Sequence, residues 1–208
     1  MKILVVSDKE SRALWDYYTP DKLKDVELIL SCGDLDPRYL SFLVTMANVP
    51  VFYVHGNHDG LYREVAPEGC VCIEDRIVQY KGLRIAGLGG CMQYNGGEHQ
   101  YTEEEMHRRC VKLGRKIQHQ YILDRLNRRE AKRSIDIFVT HASLRGIQDA
   151  EDLTHHGFES FRMFLDRWHP AYMLHGHVHA NYSCGAEKIS RYGETQIINT
   201  YETFLLEV

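Results

Sequence analysis

A chain of 208 residues is long enough to bury one substantial core and short for two. Its 44% hydrophobic and 26% charged residues are an ordinary globular mixture, and a formal net charge of −4 excludes a global attraction to nucleic acid or anionic membrane. No run of about 18 apolar residues occurs, which excludes a membrane-spanning helix, and none of the six cysteines forms a Cys-x-x-Cys pair, which excludes a zinc ribbon or a thioredoxin motif.

Met1 to Val6 is too short for a signal-peptide core and reads as the first strand, ending at Ser7-Asp8. With cysteines flanked mostly by apolar or glycine residues, the chain reads as a cytoplasmic protein with reduced thiols. Ser11 to Tyr18 reads as a short helix stopped near Pro20, and Val26 to Leu30 as a second strand ending in Ser31-Cys32-Gly33-Asp34. Pro37 suits the first turn of a helix carrying Tyr39, Leu40, Leu43, Val44 and Ala47. Pro50 breaks it, and Val51 to Val54 forms a strand that ends in His55-Gly56-Asn57-His58-Asp59. Strands and helices alternating at this spacing predict parallel pairing with right-handed crossovers.

Val71 to Ile73, Ile77 to Tyr80 and Leu83 to Leu88 are short strands, the last two joined as a hairpin at Lys81-Gly82. A glycine-rich loop then leads to a long helical segment opened by the capping box Thr102-x-x-Glu105. Met106, Cys110, Leu113, Ile117 and Tyr121 recur there at steps of three or four, so one face is covered, while basic residues outnumber acidic ones between Thr102 and Arg133. The region near 98–133 reads as a helical insertion. Its open readings are a solvated helix, a lid, a dimer contact or a basic guide for an anionic substrate. Ile135 to Val139 is a strand ending in Thr140-His141, a helix covers Phe158 to Trp168, and Ala171 to Leu174 ends in His175-Gly176-His177-Val178-His179. The tail, from Tyr182-Ser183 to Val208, reads as antiparallel strands. No linker divides the chain, so residues 1–208 read as one domain.

Five strand ends thus carry donor groups: Asp8, Asp34, Asn57 with His58, His141, and His177 with His179. Each has an ordinary reading, since aspartates after strands cap helices and single histidines fill cores or turns. Together they converge, because parallel strands bring their carboxyl ends to one edge. Converging carboxylates repel, and divalent cations neutralise them. A mixture of carboxylate, imidazole and amide donors suits Mn, Fe or Zn rather than Ca or a thiolate-bound metal.

In order, Asp8-Lys9-Glu10, Gly33-Asp34, Gly56-Asn57-His58-Asp59, Thr140-His141 and Gly176-His177-Val178-His179 resemble the motifs of the calcineurin-like metallophosphoesterases, from residue 8 to residue 179. The resemblance implies a fold of the α/β (α+β) class: a four-layer α-β-β-α sandwich with two mixed sheets, not the simple doubly wound sheet that spacing alone predicts. It implies two divalent metal ions, Mn²⁺ foremost with Fe or Zn as alternatives. Asp34 would bridge them, Asp8, Glu10 and His179 completing one site and Asn57, His141 and His177 the other. His58 would act as general acid while a metal-bridging hydroxide attacks a small phosphomono- or phosphodiester, a nucleotide among the candidates.

One position departs from the pattern: Glu10 stands where the family has histidine. A carboxylate ligand there would favour Mn or Mg over Zn; turned away, it would leave the first metal weakly held. Arg38 and His156 are candidate substrate contacts, Arg38 because a guanidinium matches phosphate oxygens. His55 and His175 read as core histidines, and His99, His107, His119 and His169 as surface ones. Two alternatives accompany the phosphoesterase reading: a non-catalytic protein-binding scaffold on the same fold, which Glu10 favours, and a nuclease steered by the basic helix, which the acidic remainder of the chain opposes.

Overall fold

The structure, a computed structural model, describes residues 1–127, 134–179 and 188–208. In chain order its strands are β1 (Lys2–Ser7), β2 (Leu28–Ser31), β3 (Val51–Tyr53), β4 (Val71–Cys72), β5 (Arg76–Tyr80), β6 (Leu83–Leu88), β7 (Cys91–Met92), β8 (Gln100–Tyr101), β9 (Ile137–Thr140), β10 (Tyr172–His175), β11 (Ile189–Tyr192), β12 (Thr195–Asn199) and β13 (Glu202–Glu207). The α-helices are α1 (Pro37–Ala47), α2 (Glu103–Leu126) and α3 (Ser160–Trp168).

Successive side chains of a strand face opposite ways, and here both faces are apolar. Ile3, Val5, Leu28, Leu30, Phe52 and Val54 point one way, into a core shared with Ile85, Ile137, Val139, Leu174 and Ile198. Leu4, Val6, Ile29, Val51 and Tyr53 point the other way, onto Tyr39, Leu40 and Leu43 of α1. Ala86, Phe138, Met173 and Ile197 likewise turn from the shared core toward Met106, Cys110, Leu113 and Ile117 of α2 and Phe161, Phe164 and Trp168 of α3. Two sheets therefore lie face to face, each covered outside by helix: four layers with three hydrophobic seams.

The first sheet has the order β13-β1-β2-β3-β4 and the second β11-β12-β10-β9-β6-β5. β1 to β4 are parallel, with β13 antiparallel at the edge of β1. In the second sheet β12, β10, β9 and β6 are parallel, flanked by the antiparallel β11 and β5. The mixed sheets are those the resemblance implies, and the Lys81-Gly82 hairpin forms as predicted with both residues at positive φ, 45° and 85°.

Two readings of the chain change. Ser11 to Tyr18 is a run of turns, not a helix. Trp15 stacks on Tyr39 at 5.1 Å and Tyr18 meets Phe42 edge-on at 5.4 Å, so aromatic docking on α1 overrides helical spacing. In the tail, β11 and β13 pair antiparallel as expected, with β12 and β1, but β12 also runs parallel to β10. Alternating apolar residues mark a strand without fixing its direction. The strand read at Tyr182-Ser183 lies outside the described residues, as does the part of the basic segment at 128–133.

Asp36 caps α1, its side chain accepting from the Arg38 N–H, and Pro37 takes the first turn. The predicted capping box opens α2, with Glu105 N donating to Thr102 Oγ1 at 3.2 Å and Thr102 N to Glu105 Oε2 at 2.8 Å. Gly114 lets the Trp168 ring close on α2, since a Cβ there would lie 3.1 Å from it. Among the described residues no helix is long and apolar enough to cross a membrane.

Candidate metal centre

Each donor stands just past the carboxyl end of a strand: Asp8 after β1, Asp34 after β2, Asn57 and His58 after β3, His141 after β9, His177 and His179 after β10. Both sheets contribute, and the backbone holding the donors is unusual. Asp8, Asp34 and His177 adopt positive φ, at 64°, 57° and 66°, a region costly for residues with a Cβ and typical of functional sites.

Hydrogen bonds interlock these loops. His177 N donates to both Asp8 carboxylate oxygens, at 2.8 and 3.0 Å, and Asp8 N to Gly33 O at 3.1 Å. Gly176 N reaches His141 O at 3.0 Å, and His58 N donates to Asp34 Oδ1 at 2.8 Å. The Asp59 carboxylate accepts from Asp34 N and Gly56 N, at 2.9 and 2.7 Å, pinning the second motif to the third. Gly56 and Gly176 are required by proximity, since a Cβ on either would collide with the Asp34 or Asp8 carboxylate. Beneath Asn57, Glu74 accepts from His55 N at 3.1 Å and Gly89 N at 3.1 Å, tying the ends of β3 and β6 together, and Arg109 from α2 pairs with it.

The two histidines are oriented by backbone carbonyls. His141 Nδ1 lies 2.8 Å from Cys32 O and His177 Nε2 2.7 Å from Thr154 O. A carbonyl only accepts, so those nitrogens carry hydrogen, and His141 Nε2 and His177 Nδ1 remain for ligation. His141 Nε2 is 3.1 Å from Asn57 Oδ1 and 3.4 Å from Asp34 Oδ2. The Asn57 amide is turned the same way, its Nδ2 donating to the Tyr94 hydroxyl at 3.3 Å. One ligand atom each from Asp34, His141 and His177 fall within 4.8 Å of one another, a group that could hold a metal ion.

The electrostatics suit a cation. Burial pushes the Asp34 carboxyl up, but the adjoining His141 prevails and holds it at about 2. Burial would likewise strip His141 of its proton, yet Asp34 and Asp8 lift the imidazole to about 9. Asp8 is raised by burial and further by Asp34. Burial, with His141 alongside, lowers His177 to about 3, leaving it neutral and able to ligate. Burial and the Asp34 charge bring Asp59 up to about 6.

The remaining predicted residues sit less centrally. His179 Nε2 is 3.9 Å from Asp8 Oδ1, its ring against Tyr201. Glu10 spends one oxygen on Asp36 N at 2.8 Å, at the start of α1. His58 is exposed. Arg38 turns outward, pairing with Asp36 at 79% side-chain exposure, and His155, the neighbour of His156 in the same loop, packs its ring 5.0 Å from His177. His175 is buried and lowered by burial to about 4, bonded to Gln148 at 2.8 Å. His55 is half-buried beside Glu74, and His99, read as a surface residue, stacks on it at 4.4 Å. Sequence reasoning assigned no role to Asp59 and did not single out Tyr94. The first lies inside a quoted motif; the second had no spacing signal at all.

A family profile described as calcineurin-like phosphoesterase matches residues 1–181. No curated protein is similar enough to the chain to count as a match. One crystal structure superposes with a TM-score of 0.63 at 15% identity, over 99% of this chain and 94% of its own. GAP50, the anchor in the inner membrane complex of Plasmodium, superposes with a TM-score of 0.54 at 12% identity, over 96% of this chain and 70% of its own. At such identities the likeness shows the fold alone.

Proposed function

This chain belongs to the calcineurin-like phosphoesterases, whose profile spans residues 1–181, and we propose that it hydrolyses a small phosphomono- or phosphodiester, a nucleotide among the candidates, with two divalent metal ions. The observation that carries this reading is the meeting of Asp34, His141 and His177, each with one ligand atom pointing at the others and its remaining polar atoms engaged by protein. In the proposed assignment Asp34 serves both ions, Asn57, His141 and His177 one of them, and Asp8, Glu10 and His179 the other. Oxygen and nitrogen donors without thiolate favour Mn²⁺, with Fe or Zn as alternatives.

Bound there, two cations supply a water of lowered pKa and neutralise charge on the attacking and leaving oxygens. The chain's own residues hold and orient. Asp59 holds the Asp34 backbone amide, the His58 N–H fixes the Asp34 carboxylate, and the carbonyls of Cys32 and Thr154 fix the imidazoles. His58, anchored by its backbone and exposed at its side chain, gives a proton to the leaving oxygen. Glu10 joins through the oxygen not engaged by Asp36 N; unchanged metal stoichiometry in Glu10→Ala would remove it from the ligand set. The substrate in this reading is small, a formal net charge of −4 opposing strong polyanion binding. Reduced cysteines, free at all five described positions, accord with a cytoplasmic setting.

The test is hydrolysis of bis-p-nitrophenyl phosphate beside p-nitrophenyl phosphate, with and without Mn²⁺, with Asp34→Asn as control. Manganese-dependent turnover lost in the variant is expected, the preferred ester separating diesterase from monoesterase. Bound metal without turnover of either ester would favour the scaffold reading.

A further inference from the structure

Tyr94 lies in the segment between β7 and β8, far in sequence from every motif, yet its hydroxyl meets the Asn57 amide. The segment is framed on all sides. Gly90 N donates to His55 O at 2.7 Å, Cys91 N to His99 O at 3.0 Å and Gln93 N to Tyr101 O at 2.9 Å. The Gln100 side-chain oxygen accepts from Tyr94 N and Asn95 N, both at 3.2 Å, and its amide donates to Asn95 Oδ1 at 2.7 Å. The half-buried Tyr94 ring packs against the core under the second sheet. So much fixation positions the hydroxyl itself.

A phenol has one hydrogen to donate and lone pairs to accept. The Asn57 N–H uses a lone pair, so the phenolic hydrogen stays with Tyr94, and among the described residues no group accepts it. That donor stands one amide group away from Asn57 Oδ1, which faces His141 Nε2, the nitrogen that also lies 3.4 Å from the Asp34 carboxylate. What it lacks is an anionic oxygen, and a phosphoryl group brings several.

We propose that Tyr94 is a substrate-binding residue whose phenolic O–H donates to a non-bridging phosphoryl oxygen while its lone pair holds the Asn57 amide in the orientation that presents Oδ1. This rests on the phosphoesterase reading. Tyr94→Phe removes one oxygen atom and keeps the packed ring. Manganese loading is followed by electron paramagnetic resonance, and inorganic phosphate binding to the loaded protein by calorimetry. The expected result is a Mn²⁺ affinity weakened only several-fold, through the released Asn57 amide, with phosphate binding at saturating Mn²⁺ weakened about 10- to 100-fold, as for a lost hydrogen bond to a charged group. Equal phosphate affinity in both proteins would overturn the proposal. So would a loss of Mn²⁺ affinity as large as that of phosphate, since Tyr94 would then act only by positioning Asn57. If the loaded wild-type protein neither binds phosphate nor hydrolyses an ester, the phosphoesterase reading falls first and takes this inference with it.

Discussion

Asp59 shows what a residue without a ligand role contributes to a site. Its carboxylate satisfies two buried backbone N–H groups, one of them the amide of Asp34, so it sets where the Asp34 carboxylate stands. Replacing it by alanine leaves both donors without a partner, at about 1–3 kcal/mol each. Both bonds end on one oxygen, Oδ2, which Asp59→Asn can reproduce with its amide oxygen, so Asp59→Ala is the variant that removes them. We expect it to lower Mn²⁺ affinity about 10- to 100-fold, the usual cost of disturbing groups that orient ligands, with far-UV circular dichroism unchanged. Wild-type metal affinity in Asp59→Ala would remove its positioning role. At this scale the donors were legible because each motif is contiguous and ends a strand. Tyr94 was not, because its approach to Asn57 depends on a loop framed by partners in β8 and the β3 end.

Among the elements, α2 is joined to the site through a buried ion pair. Arg109 reaches Glu74 and Asp75, stacks on the Tyr101 ring at 4.1 Å and donates to Gly89 O at 2.8 Å. Burial pushes the Glu74 carboxyl up, but His55 and Arg109 prevail and hold it at about 2, well below its ordinary 4.5. That depression corresponds to on the order of 3 kcal/mol of stability, present above about pH 4.5 and lost as pH falls toward 2. Glu74→Gln lacks it. In urea unfolding, the gap between wild type and Glu74→Gln should be widest at pH 6 and narrow steadily to pH 3; a constant gap would show that the carboxylate's charge is not what matters. Short apolar runs ended by polar turn residues located most strands, and the helical spacing located α2. Neither told which strands share a sheet, because β1 and β9 are equally apolar on both faces. The turn run at Ser11 was misread because its spacing resembles a helix while its aromatic rings are anchored on α1.

For the whole molecule, the centre is a seam. Asp8, Asp34 and Asn57 arrive from one sheet, His141 and His177 from the other, and hydrogen bonds such as His177 N to Asp8 and Gly90 N to His55 O cross between them. A cation held by both sets would cross-link the sandwich at its rim, and a ligand bound only by the folded state stabilises it by mass action, about 2.7 kcal/mol at a hundredfold excess over its dissociation constant. Mn²⁺ is therefore expected to raise the melting temperature and a chelator to reverse the rise, with the shift absent in Asp34→Asn. A melting temperature indifferent to metal in the wild type would argue that the two sheets do not share an ion. The four-layer arrangement was legible through the resemblance, and the parallel β1-β2-β3 core through spacing. The pairing of β12 with β10 was not, since an apolar run does not show which strand edge it will join or in which direction.

The three positive-φ donors have a consequence for the protein's tolerance of substitution. Asp8, Asp34 and His177 occupy a conformation that glycine adopts freely and asparagine readily, and that β-branched residues resist. In a library of all replacements at these positions scored for soluble expression, glycine and asparagine should rank near the top and valine and isoleucine near the bottom. Scored instead for phosphoester hydrolysis, glycine should fall to the floor beside valine. Two selections acting on the same three codons would thus diverge, and the size of the divergence would measure how much folding preference this lineage has surrendered to keep its donors in place.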